Sequence, residues 1–295
     1  MRANTEPGAA GSETQMSQAV EFPARDGYAL AATLFRPREA NGRAVLIHAA
    51  TGVKRGFYAK FAAHLAGAGF TTLTFDYRGI GDSRRGSLAR LPARMRDWAQ
   101  LDAAGALDFL EMETAGAKLL CVGHSFGGNG LGVVPGIERY AAALFVGAQS
   151  GYWRHWKGAG LPAMWLVTHV LLPSVSSTLG YFPMKALGQG EDLPGGVARE
   201  WAGWCRHPKY AAGVVGGEGY ARLTAPIRSY WVSDDRYAPR PAAQALFELY
   251  PNAAAKELVE VDAKAHGGGI GHFGFFRERF RDTLWGDAAD WLAAR

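Results

Sequence analysis

Six short apolar runs, each stopped by a turn, limit what this chain can fold into. They are RAVLIHA (43–49), FTTLTFDY (70–77), KLLCVGH (118–124), AALFVGA (142–148), IRSYWVS (227–233) and KELVEVDA (256–263). Runs of this length, apolar almost throughout, suit strands covered on both faces. Helical patterns separate them. FYAKFAAHLAGAG (57–69) sets Phe57, Phe61 and Leu65 on one face, and RMRDWAQLDAAGALDFLEME (94–113) does the same with Trp98, Leu101, Gly105 and Phe109. APRPAAQALFELY (238–250) opens with proline, as helices often do. The segment FGFFRERFRDTLWGDAADWLAAR, which closes the chain, reads as one long amphipathic helix. Ahead of all these, AVEFPA (19–24) and YALAATLF (28–35) flank Arg25-Asp26-Gly27, a hairpin signal. Two hairpin strands plus six buried runs predict an α/β fold: a mainly parallel eight-stranded sheet flanked by helices, antiparallel at its start.

The alternation breaks at residues 151–222. That stretch has no clear buried strand and carries Trp153, Trp156, Trp165, Trp201 and Trp204, five of the nine tryptophans. It reads as a helical cap inserted over one end of the sheet. The core is then 19–150 together with 223–295, and residues 1–18 read as a disordered tail. The tail has Glu6 and Glu13 and no apolar centre, which excludes a secretory signal. LPAMWLVTHVLLP (161–173) is too short to span a bilayer. Cys121 and Cys205 fit neither a disulfide framework nor a zinc spacing. The net charge of +5 comes from scattered residues and leaves no nucleic-acid footprint. The expectation is a cytoplasmic protein with a small-molecule substrate, no metal and no cofactor; oligomeric state is not legible.

The strand KLLCVGH runs into Gly123-His124-Ser125-Phe126-Gly127, a G-x-S-x-G match. A serine on a tight strand-to-helix turn takes strained backbone angles and projects its hydroxyl above the sheet. Small residues two before and two after it avoid neighbouring backbone. The helix that follows would add amide donors and a partial positive charge where an oxyanion forms. Gly128, Gly130 and Gly132 would let it pack closely.

At these residues the chain resembles the α/β-hydrolase superfamily. The likeness extends to Asp76-Tyr77-Arg78-Gly79-Ile80-Gly81-Asp82-Ser83, similar to the D-x-R-G-x-G-x-S turn after the fourth strand. Ser233-Asp234-Asp235-Arg236-Tyr237-Ala238-Pro239 resembles the acid loop, and Gly271-His272-Phe273 the histidine loop. The ending GHFGFFR is similar to a group of predicted α/β-hydrolases of unassigned substrate, and more distantly to the monoglyceride-lipase and serine-aminopeptidase-like branch.

The resemblance implies a triad. Ser125 is the nucleophile and His272 the base, with His266 its competitor nearer the strand end. The acid is Asp234 or Asp235, and a spacing of four to Pro239 favours Asp235; Asp234 then caps its own turn. The Phe126 amide supplies one oxyanion donor. The other comes from His48-Ala49-Ala50-Thr51-Gly52, where alignment on His48 points to the Ala50 amide. His48 itself reads as a structural residue bonding the turn. Thr51, Tyr58, His124 and Trp153 are the candidate pocket residues. Together these predict a serine hydrolase that cleaves a carboxylic ester or thioester with an apolar acyl group through an acyl-enzyme. The alternatives are an acyltransferase on the same triad and a non-catalytic binding protein retaining the fold.

Overall fold

The computed structural model of the protein describes residues 17–295. The opening hairpin pairs β1 (Ser17–Pro23) with β2 (Ala29–Phe35), and Pro23 faces Ala29 across the turn. Gly27, at φ +84°, supplies the left-handed residue that this turn needs. Ser17 and Gln18 therefore belong to a strand and not to the expected tail; the rest of that tail lies outside the described residues.

Six further strands follow in the main sheet: β3 (Arg43–His48), β4 (Thr71–Phe75), β5 (Lys118–His124), β6 (Tyr140–Val146), β9 (Ile227–Val232) and β10 (Lys256–Val261). Between β6 and β9, β7 (Tyr181–Phe182) and β8 (Leu193–Pro194) form a separate two-stranded ribbon. The large sheet has the order β1-β2-β4-β3-β5-β6-β9-β10. β2 runs antiparallel to both of its neighbours, β1 and β4, and every later pair in that order is parallel. Every residue of β4, and all but the first of β3 and β5, is buried, as a sheet covered on both faces requires. The edge strand β10 keeps Lys256, Glu257 and Glu260 exposed, which guards an open edge against pairing with another chain.

The crossover helices Ala59–Gly67 and Arg240–Glu248 follow the sequence pattern closely. The helix over 95–113 widens to π geometry at Trp98–Ala103. The chain end departs from expectation. Gly274–Phe276 and Glu278–Phe280 are separate 3₁₀ turns, joined by an extended Arg277, and a continuous helix runs only over 281–293. The adjacent rings of Phe275 and Phe276 are both buried, against Phe61 and each other. Trp285 Nε1 fixes the turn by donating to the Phe275 carbonyl at 2.7 Å.

Residues 147–226 add no strand to the large sheet. They build a helical stretch over 160–179, the ribbon β7–β8, and helices Gly195–Arg206, Tyr210–Val215 and Glu218–Arg222. Among the described residues no helix is long and apolar enough to cross a membrane. The segment just before β8 lies on the loop after β3: Glu191 N–H donates to the Gly52 carbonyl at 2.8 Å, and its carboxylate pairs with Lys54 and Lys185.

The turn after β4 is a clamp. Asp76, fully buried, accepts from the Arg55 amide at 2.7 Å and pairs with the Arg55 guanidinium. Gly81 stands so close that a Cβ would fall 2.4 Å from Asp76 Oδ2. Ser83 Oγ donates to the Asp76 carbonyl and accepts from the Ala31 amide. Arg78 reaches back to Asp26 in the first hairpin and to the buried Asp102. The motif thus ties β2, β4 and the segment after β3 into one rigid edge.

Candidate active site

Parallel pairing places the loops after β5, β6, β9 and β10 on one edge of the sheet. The first of these holds Ser125, with φ +50° and ψ −115°. A non-glycine residue there is strained. The strain is held by packing: Ser125 N–H donates to the Val146 carbonyl at 3.0 Å, and glycines surround it. A Cβ on Gly127 would lie 2.1 Å from the His48 carbonyl oxygen, and one on Gly123 would lie 2.6 Å from the Gly128 nitrogen. Gly127→Ala is expected to cost about 3 kcal/mol or more, since backbone cannot swing aside as a side chain can. Thermal denaturation followed by circular dichroism should show Tm lowered by roughly 6–12 °C; an unchanged Tm would refute the packing account.

The helix after Ser125 is shorter than expected. It spans only Phe126–Asn129 before Gly130 and a 3₁₀ turn at Leu131–Val133. One turn sums few peptide dipoles, so the local amides outweigh the macrodipole here. The Phe126 amide, at the first helical position, has no intrahelical acceptor.

His272 and Asp235 meet from the loops after β10 and β9. His272 Nδ1 lies 2.7 Å from Asp235 Oδ2, and both side chains are almost wholly buried. Asp235 Oδ1 accepts from the amides of Tyr237 at 2.8 Å and Ala238 at 3.1 Å. A carboxylate offers only lone pairs, so Nδ1 carries the proton and Nε2 is left as the acceptor. Gly147, at φ +57° after β6, lets this pair sit close: a Cβ there would lie 3.1 Å from His272 Nδ1. Asp234 does not cap its own turn. It accepts from the amides of Ile270 at 3.1 Å and Gly271 at 2.7 Å, and so holds the histidine loop. His266 faces Phe280, and no hydrogen bond links its ring to either aspartate.

The loop after β3 differs from its expected use. Ala50 N–H donates to the Tyr58 hydroxyl at 2.9 Å, so this amide is already engaged. Among the described residues the neighbouring Thr51 amide has no acceptor. Tyr58 and His124 are fully buried and lie beneath the surface instead of lining a pocket. Tyr58 Oη is 2.8 Å from His124 Nδ1, and His124 Nε2 is 2.9 Å from the His272 carbonyl. Burial, with the His272 ring beside it, pushes the His124 pKa well below its ordinary range. His48 bonds Tyr140 on β6 at 2.8 Å, not the turn, and burial pushes its pKa down to about 3.

A cleft of about 690 Å³ opens beside these loops. Its walls include Val53 and Phe57 from one side, Gln189 and Glu191 from the segment before β8, and Phe273, next to His272. Trp153 is not among its lining residues: its ring meets Arg154, Tyr152 and His169. Phe57 and Phe273 carried no sequence signal beyond helix periodicity and a neighbouring histidine.

Comparison with known proteins bears on the family and the fold. The sequence profile of the alpha/beta hydrolase family matches residues 44–291. The fold is similar to the esterase domain of a Rhodothermus marinus protein, at 18% identity and a TM-score of 0.60, covering 95% of this chain and 98% of that one. It is also similar to an esterase of Pyrococcus furiosus, at 14% identity and a TM-score of 0.63, covering 98% and 96%. A third likeness is to DcsB, determined in complex with its substrate analogue, at 18% identity and a TM-score of 0.65, covering 95% and 99%. No curated protein sequence matches the chain.

Proposed function

Because the chain belongs to the alpha/beta hydrolase family, we propose that it cleaves carboxylic esters or thioesters of uncharged, apolar acyl groups. Ser125 is the nucleophile, His272 the general base and Asp235 the group that orients it. The observation that carries this reading is the 2.7 Å hydrogen bond from His272 Nδ1 to Asp235, on the sheet edge that also holds the strained Ser125 turn.

A serine hydroxyl attacks only when a base removes its proton. With Nδ1–H committed to Asp235, Nε2 takes the Ser125 proton as Oγ bonds to the carbonyl carbon. The tetrahedral oxyanion is met by the Phe126 amide and by that of Thr51, since Ala50 is spent on Tyr58. His272 then gives its proton to the departing alkoxide or thiolate, and the carbon–oxygen or carbon–sulfur bond breaks. Water, deprotonated by the same Nε2, attacks the acyl-enzyme. The acid leaves and Ser125 recovers its proton.

The cleft supports the substrate class. Its charges are mutually paired: Arg55 with Asp76 and Asp82, Lys54 with Glu191. The apolar part of its wall is Val53, Phe57 and Phe273, beside the uncharged Thr33 and Gln189. Each methylene buried there adds about 0.8 kcal/mol, roughly fourfold in kcat/KM. Across a series of p-nitrophenyl esters and acyl-CoA thioesters, kcat/KM is expected to climb with chain length and fall once the cleft is full. Phe57→Ala should move that optimum and Trp153→Ala should not. A flat profile, or one shifted by Trp153→Ala alone, would overturn the placement of the acyl group. Added alcohol separates hydrolysis from transfer, because a transferase yields the new ester in preference to the acid.

A further inference from the structure

We infer that Tyr58 and His124 are positioning residues, which form one buried hydrogen-bonded rod between the oxyanion loop and the loop of the catalytic histidine. The inference rests on the serine-hydrolase reading and adds to it two residues outside the triad.

The direction of every bond in the rod is fixed by elimination. The Ala50 amide can only donate, so Tyr58 Oη accepts it at 2.9 Å. The carbonyl of His272 can only accept, so His124 Nε2, 2.9 Å away, carries a proton. The neutral imidazole then has Nδ1 as a bare acceptor, and the Tyr58 hydroxyl proton points to it across 2.8 Å. All three links lie in the interior, where an unmade bond is expensive and a made one is stiff. Tyr58 and His124 each accept at one end and donate at the other, and neither can reverse without setting a buried donor against a donor or an acceptor against an acceptor. The remaining surroundings favour the same neutral state. The rings of Phe57, Phe273, Phe276 and His272 face His124, and none of these carries a carboxylate that would stabilise an imidazolium.

The rod joins two places that the chemistry needs in register. One end is the backbone of Ala50, directly before the Thr51 amide. The other is the backbone of His272, whose ring must reach Ser125. His124 also precedes Ser125 in sequence, so the elbow, the base and the oxyanion turn share a single strut. A strut of this kind acts on the reaction without touching substrate, since a shift of about 1 Å in reacting groups costs about 10²-fold.

The test is turnover per titrated active site in Tyr58→Phe, His124→Gln and His124→Leu, assayed well below each variant's Tm. Tyr58→Phe removes the acceptor for Ala50 and the donor for His124. It is expected to lower kcat about 10–100-fold with KM little changed. His124→Leu should lose at least as much. His124→Gln keeps a terminal N–H for the His272 carbonyl and should fall between wild type and His124→Leu. Fluorophosphonate labelling rates should follow the same order. Normal turnover per titrated site in Tyr58→Phe, with only Tm reduced, would make the rod merely structural and overturn the inference. A nitrogen-15 correlation spectrum of the wild-type imidazoles gives a readout independent of any substrate. His124 should stay in the neutral Nε2–H tautomer from pH 5 to 8, and the other tautomer, or a charged ring, would refute the bond directions. If wild-type protein is not labelled and cleaves no ester while this tautomer is found, the hydrolase reading fails and the rod stands as a structural fact.

Discussion

Ser125→Ala is expected to lower turnover of the best ester substrate by about 10⁵–10⁶-fold, because triad members act as a unit and losing the nucleophile removes their joint effect. The protein should remain folded. Alanine keeps the Cβ that makes φ +50° strained, so the elbow's conformational cost is unchanged. Ser125→Gly makes a sharper pair with it. Glycine takes positive φ freely, so this variant should be equally inactive yet more stable than wild type by about 1 kcal/mol. Steady-state kinetics and thermal melts check both. Wild-type turnover in Ser125→Ala would end the assignment, and a lower Tm in Ser125→Gly would show that the elbow is not strained as described.

The adjacent aspartates supply the second large effect. Asp235→Asn is expected to reduce kcat by about 10⁴-fold. Asp235 Oδ1 accepts from two amides, those of Tyr237 and Ala238. An asparagine oxygen would keep that place and turn its NH₂ toward His272. Nδ1 must then accept, the ring proton moves to Nε2, and the base is lost. Asp234→Asn keeps one of two acceptors for the Ile270 and Gly271 amides. Its cost should be no more than about tenfold in kcat, with about 1–2 kcal/mol of stability lost at the histidine loop. Kinetics and melts on the two variants separate the roles; equal losses in kcat would mean that both carboxylates reach the chemistry.

The fold was legible where local pattern and burial agree. KLLCVGH ends where β5 ends, because a fully apolar run closed by Gly-His-Ser has no other comfortable place than the sheet centre. The four residues of the ribbon β7–β8 were too few to leave a pattern. The chain end misled for a physical reason: helical periodicity placed Phe275 and Phe276 in one helix, while packing buried both adjacent rings and broke it into turns. At the site, the elbow glycines were readable because each faces backbone at a distance no side chain tolerates. Spacing to Pro239 pointed to Asp235, the carboxylate that meets His272; that Asp234 holds the histidine loop was not legible, since it depends on where the β9 turn points its second carboxylate. The Tyr58–His124–His272 links also left no trace, because residues 66 and 148 positions apart meet only in the fold. Trp153 drew attention through composition, and composition does not say which way a ring points.

The most direct measurement is mass spectrometry of the wild-type protein after a fluorophosphonate probe, with peptide mapping of the adduct. The account predicts one adduct per chain, on Ser125, blocked by prior acylation with the best ester and absent after His272→Ala at matched exposure. An adduct on any other residue, or none on a folded and otherwise intact protein, would contradict it.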